Sequence, residues 1–231
     1  MMLTDYEVTA LLLSLKVSGV AVLFSLPAGI ACAWVLARLH FPGKALLDSV
    51  IHLPLVLPPV VIGYLLLISM GRKGFLGERL YDWFGISFSF NWHGAALAAA
   101  IVSFPLMVRA IRQSFEHVDI RLEQAARTLG SSPLKVFLTI TLPLTAPGII
   151  SGMVLAFARS LGEFGSTITF VSNIPGETRT IPLAMYSFIE TPGAESQAGR
   201  LCIISIIIAL VSLGISQWLT QKAQQRVSTA C

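Results

Sequence analysis

The sequence predicts an all-α integral membrane protein with about five to six transmembrane helices, and three observations lead there. Of its 231 residues 55% are apolar and only 12% are charged, too few to cover a soluble domain of that size. The apolar residues gather in runs close to the roughly 20 residues that a helix needs to cross hydrocarbon. The charged residues gather mostly between those runs, as loop residues of a multi-pass protein do.

Five runs qualify as spans. The first covers roughly 11–37, with Lys16 near one end, where its stem can reach the interface. The second, roughly 50–70, contains Pro54, Pro58 and Pro59, which break or kink it and leave backbone groups needing protein or water partners. The third, roughly 93–111, is rich in alanine and holds Pro105. The fourth, roughly 147–171, carries Arg159 and Glu163 in its middle, and the fifth is roughly 201–219. Gly148 and Gly152 form a small-x-x-x-small pair, followed by Gly162 and Gly165; these and the alanines of the third span permit close helix approach, within the chain or between copies. Outer loops of roughly 71–92 and 172–200 connect the spans. The second contains "TIPLAMYSFIETPG", too short to cross and expected as a short surface helix ended by Pro192-Gly193. The last residues, "QQRVSTAC", read as a frayed tail.

Loop charge sets the orientation. With five spans the termini lie on opposite sides. One side holds Arg38, Lys44, Arg109, Arg112, Arg121, Arg127, Lys135, Lys222 and Arg226; the other holds Arg72, Lys73, Arg79, Arg179 and Arg200. The richer side is expected to be cytoplasmic, which puts the amino terminus outside and the carboxyl terminus inside.

Several function classes are disfavoured. The net charge of +4 is too weak and too scattered for a nucleic-acid partner. Cys32, Cys202 and Cys231 show no zinc or disulfide spacing, and His40, His52, His93 and His117 are too dispersed for a metal site. The first apolar run is too long for a cleaved signal peptide and lacks a basic start. No Ser-His-Asp or Cys-His arrangement stands out. No G-x-x-x-x-G-K-[ST] loop is present to cradle nucleotide phosphates, so energy for any pumping must come from a partner.

One polar stretch between the third and fourth spans, "LEQAARTLGSSPLKVFLTITLP" (122–143), stands apart. With Asp119 as cap, Leu122, Ala125, Ala126 and Leu129 fall at helical spacing on one face. Gly130 suits a left-handed stop, and Ser131-Ser132-Pro133 restarts a helix that Pro143 is expected to end. The physical reading leaves two options: an amphipathic helix on the lipid surface, or a small-sided rod that fits a groove on another protein.

This stretch resembles the signature loop of bacterial ABC importer permeases, Glu-Ala-Ala, three residues, Gly, nine residues, Ile-x-Leu-Pro. Gln124-Ala125-Ala126, Gly130, Ile140, Leu142 and Pro143 stand at those positions. The one departure is Gln124 where the family usually has glutamate, with Glu123 just before it. The resemblance implies a coupling loop of about 114–145, in which Leu122 and Glu123 join those residues in docking on a separate ATPase subunit. Similarity extends over nearly the whole chain to bacterial molybdate permeases, and more distantly to sulfate permeases, through "FPGKALLDSVIHLPLVLPPVVIGYLLL", "FARSLGEFGSTITFVSNIPGETRTIPLAMY" and "TPGAESQAGR". It implies a single permease domain over 1–231 in the bacterial inner membrane. It also implies a second copy of the chain, an ABC ATPase dimer that carries the ATP, a periplasmic oxyanion-binding protein, and no cofactor on this chain.

A dianion cannot cross hydrocarbon bare, so its path must be a polar seam. Arg159 and Glu163, four apart in an apolar span, are either a structural ion pair or a path lining or gate. Thr167 and Thr169 offer hydroxyls to such a path or bond back to their own backbone. The expected activity is therefore ATP-driven import of a tetrahedral oxyanion, molybdate foremost, with sulfate or tungstate as alternatives. The rivals are an ATPase-independent channel or carrier and an intramembrane enzyme; Arg159 and Glu163 alone are a thin basis for the latter.

Overall fold

The computed structural model of the protein describes residues 3–228, with side chains through Lys222. Among the described residues there are helices and connections and no strand. That is what a chain must do in lipid, where each peptide group has to be satisfied within its own segment.

Helix α1 (Asp5–Arg38) opens with a capping box: Thr4 Oγ1 accepts from the Glu7 N–H, and the Thr4 N–H donates back to Glu7 Oε2 at 2.7 Å. At 34 residues it is about 51 Å long, well beyond the roughly 30 Å of hydrocarbon. Lys16 Nζ lies 3.5 Å from the centroid of the Trp92 ring, and Arg38 Nη2 donates to Val118 O at 3.1 Å. The rise between these two levels is about 33 Å, one membrane thickness.

The second run is not a straight span. It forms α2 (Lys44–Val56) and α3 (Pro59–Met70), bent by 111° at Leu57-Pro58, with Pro59 in the first turn of α3, where its missing N–H breaks no bond. The outer connection contains a helix that the sequence reading left as loop, α4 (Gly77–Phe84). Helix α5 (Trp92–His117), capped by Asn91, which accepts from the Gly94 N–H at 3.0 Å, runs through the centre of the molecule. Its alanine face (Ala95, Ala96, Ala98, Ala99) and Val102 pack with Leu13, Val17 and Ala21 of α1 and with Ile62 and Leu66 of α3. Met107, Val108, Ile111 and Phe115, nearer its other end, pack with Val22, Ala33 and Leu36 of α1 and with Ile51 of α2.

After α6 (Ile120–Thr128) and a corner comes one continuous helical rod: α7 (Pro133–Val136), a π-helical segment (Phe137–Thr141) and α8 (Leu142–Leu161). Pro143 thus does not end the helix, contrary to the sequence expectation. The π turn ends at Thr141, so Pro143 falls in the first turn of α8, where a missing N–H is tolerated. The fourth span also differs. α8 stops at Leu161, Gly162-Glu163-Phe164 is non-helical, and α9 (Gly165–Val171) follows. The short helix expected in the second outer loop is α10 (Ile181–Glu190), but it does not merely lie on a surface. Ile181 and Ala184 are buried with Ala10 of α1 and with Leu201 of α11 (Glu195–Ser228), and the Ile181 N–H donates to Ser14 Oγ at 2.7 Å. Because α11 continues to Ser228, no frayed tail begins at residue 224; Thr229–Cys231 lie outside the described residues.

Among the described residues four helices are long and apolar enough to cross a membrane, and the bent α2–α3 pair, counted as one broken span, brings the number to five. Gly148 and Gly152 act within the chain. A Cβ on Gly148 would collide with Ser114 Cβ of α5, and one on Gly152 would lie 3.0 Å from Ile111 Cγ1 and Met107 O. The pair seats α8 directly on α5. Gly148→Val is expected to lower the unfolding midpoint of the detergent-solubilised protein by an amount worth about 1–3 kcal/mol. Gly214→Val, on α11 where an added Cβ meets nothing within 4 Å, should leave that midpoint unchanged.

Candidate coupling helix and ion pairs

Helix α6 is held out from the bundle by joints at both ends. Asp119 caps its start, Oδ1 accepting from the Arg121 N–H at 2.9 Å. Its end is a Schellman turn: the Gly130 N–H donates to Arg127 O at 3.0 Å and the Ser131 N–H to Ala126 O at 3.1 Å. Gly130 has φ +84°, the left-handed conformation that the sequence reading assigned to it. Ser132 then caps α7, its Oγ accepting from the Lys135 N–H at 3.4 Å. Of the helix–corner–helix expected from Asp119 to Pro143, the first helix, the Gly130 corner and the restart at Pro133 are observed, while the second helix runs on past Pro143.

None of the residues of α6 is buried within the described chain. Leu122 is 45% exposed and Leu129 87%, Gln124 and Ala125 face out, and Ala126 is half-buried. The small, apolar side of α6 is thus offered outward. Ile140 lies in the π-helical segment and Leu142 at the start of α8, both half-buried, with Pro143 exposed beside them.

Glu123 does the opposite of its neighbour Gln124. It turns inward, its side chain only 12% exposed, and its Oε1 accepts from Arg38 Nη2 at 2.8 Å and from Thr141 Oγ1 at 3.0 Å. Eighty-five positions separate Arg38 from Glu123, and no local pattern reports a contact at that distance. Its place in the last turn of α1, where a cation suits the helix dipole, was the one available signal.

Arg159 and Glu163 do pair, Nη1 to Oε2 at 2.8 Å, but not across one continuous helix. Arg159 is in the last turn of α8, and Glu163 sits in the break beyond it. Glu163 is 2% exposed on its side chain and Arg159 31%. The other carboxylate oxygen, Oε1, accepts from the Ser166 N–H at 2.9 Å and from Ser166 Oγ at 2.7 Å, so Glu163 satisfies the start of α9 while holding the end of α8. This break meets the break of the α2–α3 pair, since a Cβ on Gly165 would lie 2.9 Å from Pro59 Cβ. Thr167 is buried in α9. Thr169 donates back to Gly165 O at 2.8 Å, the ordinary fate of a helical threonine. A third ion pair went unread in the sequence. Glu7, fully buried, accepts from Arg200 Nε at 2.9 Å and Nη2 at 3.2 Å and ties the start of α1 to the first turns of α11.

Comparison with known proteins agrees with this architecture. The chain is 73% identical over 226 residues to the Molybdenum transport system permease protein ModB of Escherichia coli (strain K12), covering 98% of this chain and 99% of that protein. Its fold matches a chain of the MetNI methionine ABC transporter, in inward-facing conformations, with TM-score 0.73 and 11% identity, covering 96% of this chain and 99% of that one. It also matches a chain of a bacterial alginate ABC transporter in complex with alginate pentasaccharide-bound periplasmic protein, with TM-score 0.74 and 16% identity over 95% of this chain and 80% of the other. Residues 25–228 match the family described as "Binding-protein-dependent transport system inner membrane component". With that match, the near-complete relative and the outward-facing helix between two spans, the chain belongs to the family of binding-protein-dependent transport system inner membrane components.

Proposed function

We propose that this chain is the membrane-spanning permease subunit of an ATP-driven importer of the tetrahedral oxyanion molybdate, with its amino terminus outside and its carboxyl terminus in the cytoplasm. The observation that carries the cargo is the 73% identity, over nearly the full length of both chains, to a molybdenum permease. Two copies of the chain form the path, a separate ATPase dimer binds the ATP, and a periplasmic binding protein delivers the anion. No cofactor is assigned to this chain.

The exposed α6 supports the mechanism. Leu122, Gln124, Ala125 and Ala126 present a narrow, small-sided surface that a cleft on the ATPase can enclose. Glu123 faces the membrane domain instead, and Gly130 with Ile140, Leu142 and Pro143 shapes the return into the bilayer. Closure of the ATPase dimer on ATP moves α6 and opens the permease dimer outward to receive the anion; hydrolysis reverses the motion.

Arg159, Glu163 and Thr167 sit where two interrupted helices meet, which suits a gate better than a rigid wall. Glu163 holds one edge of the Arg159 guanidinium, and the partly exposed remainder can meet a passing dianion without trapping it.

The direct test is uptake of labelled molybdate by cells carrying the chain with its ATPase and binding protein. Uptake that persists without the ATPase would replace this reading with an autonomous channel or carrier, and uptake of sulfate in preference would change the cargo. A Cβ on Gly130 would meet no neighbour within 4 Å, so the main effect of Gly130→Val is on the left-handed backbone, strained by about 1–2 kcal/mol. ATP hydrolysis is expected to continue in this variant while uptake falls by about tenfold, the size of a typical inter-site coupling. Glu163→Gln leaves the partly exposed Arg159 without its counter-charge and removes an anionic acceptor from the start of α9. Reduced assembly or reduced transport is expected, measured by yield of the complex and by uptake; normal values of both would make the pair incidental. A cysteine at Ser131, in a chain whose Cys32, Cys202 and Cys231 are replaced by serine, is expected to resist an impermeant thiol reagent applied outside. Labelling there would invert the topology.

A further inference from the structure

Two short joints, 118–119 and 129–132, attach α6 to the rest of the chain. Joints of that kind let a helix pivot, and a pivoting helix dissipates any push it receives. One side-chain contact opposes this. The Arg38 guanidinium, 10% exposed at the end of α1, uses Nη2 for two acceptors: Val118 O in the first joint at 3.1 Å, and Glu123 Oε1 on α6 at 2.8 Å. The same Glu123 oxygen accepts from Thr141 Oγ1, in the π-helical segment that leads into α8, at 3.0 Å.

Four segments thus converge on one carboxylate oxygen and one guanidinium nitrogen. Thr141 is itself buried, so the cluster is closed to water on the bundle side, where an ion pair is least screened. Arg38 Nε is buried with no hydrogen-bond partner. Both protein hydrogen bonds of the Arg38 guanidinium thus run through Nη2.

We propose that Arg38 is a positioning residue: through Glu123 it locks α6 to the inner ends of α1 and of the α7–α8 rod, so that motion imposed on α6 reaches the membrane helices as a rigid-body displacement. The inference rests on the reading of α6 as the helix that the ATPase engages. It adds the route by which the motion leaves α6 and names a residue far outside the signature loop.

The test uses the complete transporter, permease with its ATPase and binding protein, in liposomes. Anion taken up per ATP hydrolysed is measured on whatever complex assembles. Arg38→Met keeps the length of the side chain and removes the charge, and the ratio is expected to fall about tenfold or more while bound ATPase still hydrolyses ATP. Glu123→Gln should act in the same direction, and the double variant should be no worse than the more affected single one, because both break one contact. Arg38→Lys, a single ammonium in place of the fork, should restore part of the ratio. Should Arg38→Met complexes keep the wild-type ratio, even at reduced yield, Arg38 is structural only and the proposal falls. Equal losses from the two single variants that add in the double variant would also overturn it. Failure of the underlying reading looks different: the unaltered transporter would then hydrolyse ATP without linked uptake, or Ala125→Cys would never crosslink to the ATPase.

Discussion

In the hydrocarbon core each peptide N–H and C=O must find its partner inside the protein, and most of what is particular about this structure follows from that demand. Uninterrupted helices meet it along most of their length in α1, α5 and α11, though the interior Pro27 of α1 and Pro105 of α5 each lack an N–H. The chain departs from the straight helix at the α2–α3 bend, at the Gly162–Phe164 break and at the π turn. Each departure is answered locally. Pro59 and Pro143 stand in first turns, where no N–H is needed, and Glu163 supplies an acceptor to the start of α9. The two breaks also touch, Pro59 against Gly165, while Val56 and Val60 on the other side of the α2–α3 bend stay exposed.

Ion pairs mark three levels of the molecule. Glu7–Arg200 ties α1 to α11 beyond the Lys16–Trp92 level, Arg159–Glu163 bridges the interrupted span, and Arg38–Glu123 fastens α6 beneath the bundle. Each has one member nearly or wholly enclosed, which makes removal of a single partner far costlier than the pair's net contribution to stability. Such pairs fix geometry, and here they fix it where segments must keep register: the starts of α1 and α11, the helix interruption, and the base of α6.

Much of this was legible in the residues. Run length and composition gave the five apolar spans, because crossing a fixed thickness of hydrocarbon is a one-dimensional requirement. The corner at Gly130 was readable because its geometry is local: a left-handed residue, a serine cap and a proline occupy adjacent positions. The small face of α6 followed from periodicity alone.

Neither a proline nor an apolar run decides the local structure by itself. Pro143 looked like a stop, but a π turn upstream repositioned it. Residues 147–171 looked like one helix, but Gly162-Glu163-Phe164 interrupt it at the contact with α3. The sequence by itself determined the helical class, the apolar spans and the shape of the loop that leaves the membrane, since these depend on neighbours within a few turns. Only the tertiary structure decided where helices break, that Gly148 serves α5, and that Glu123 belongs to Arg38, because those outcomes are set by packing and charge between residues tens of positions apart.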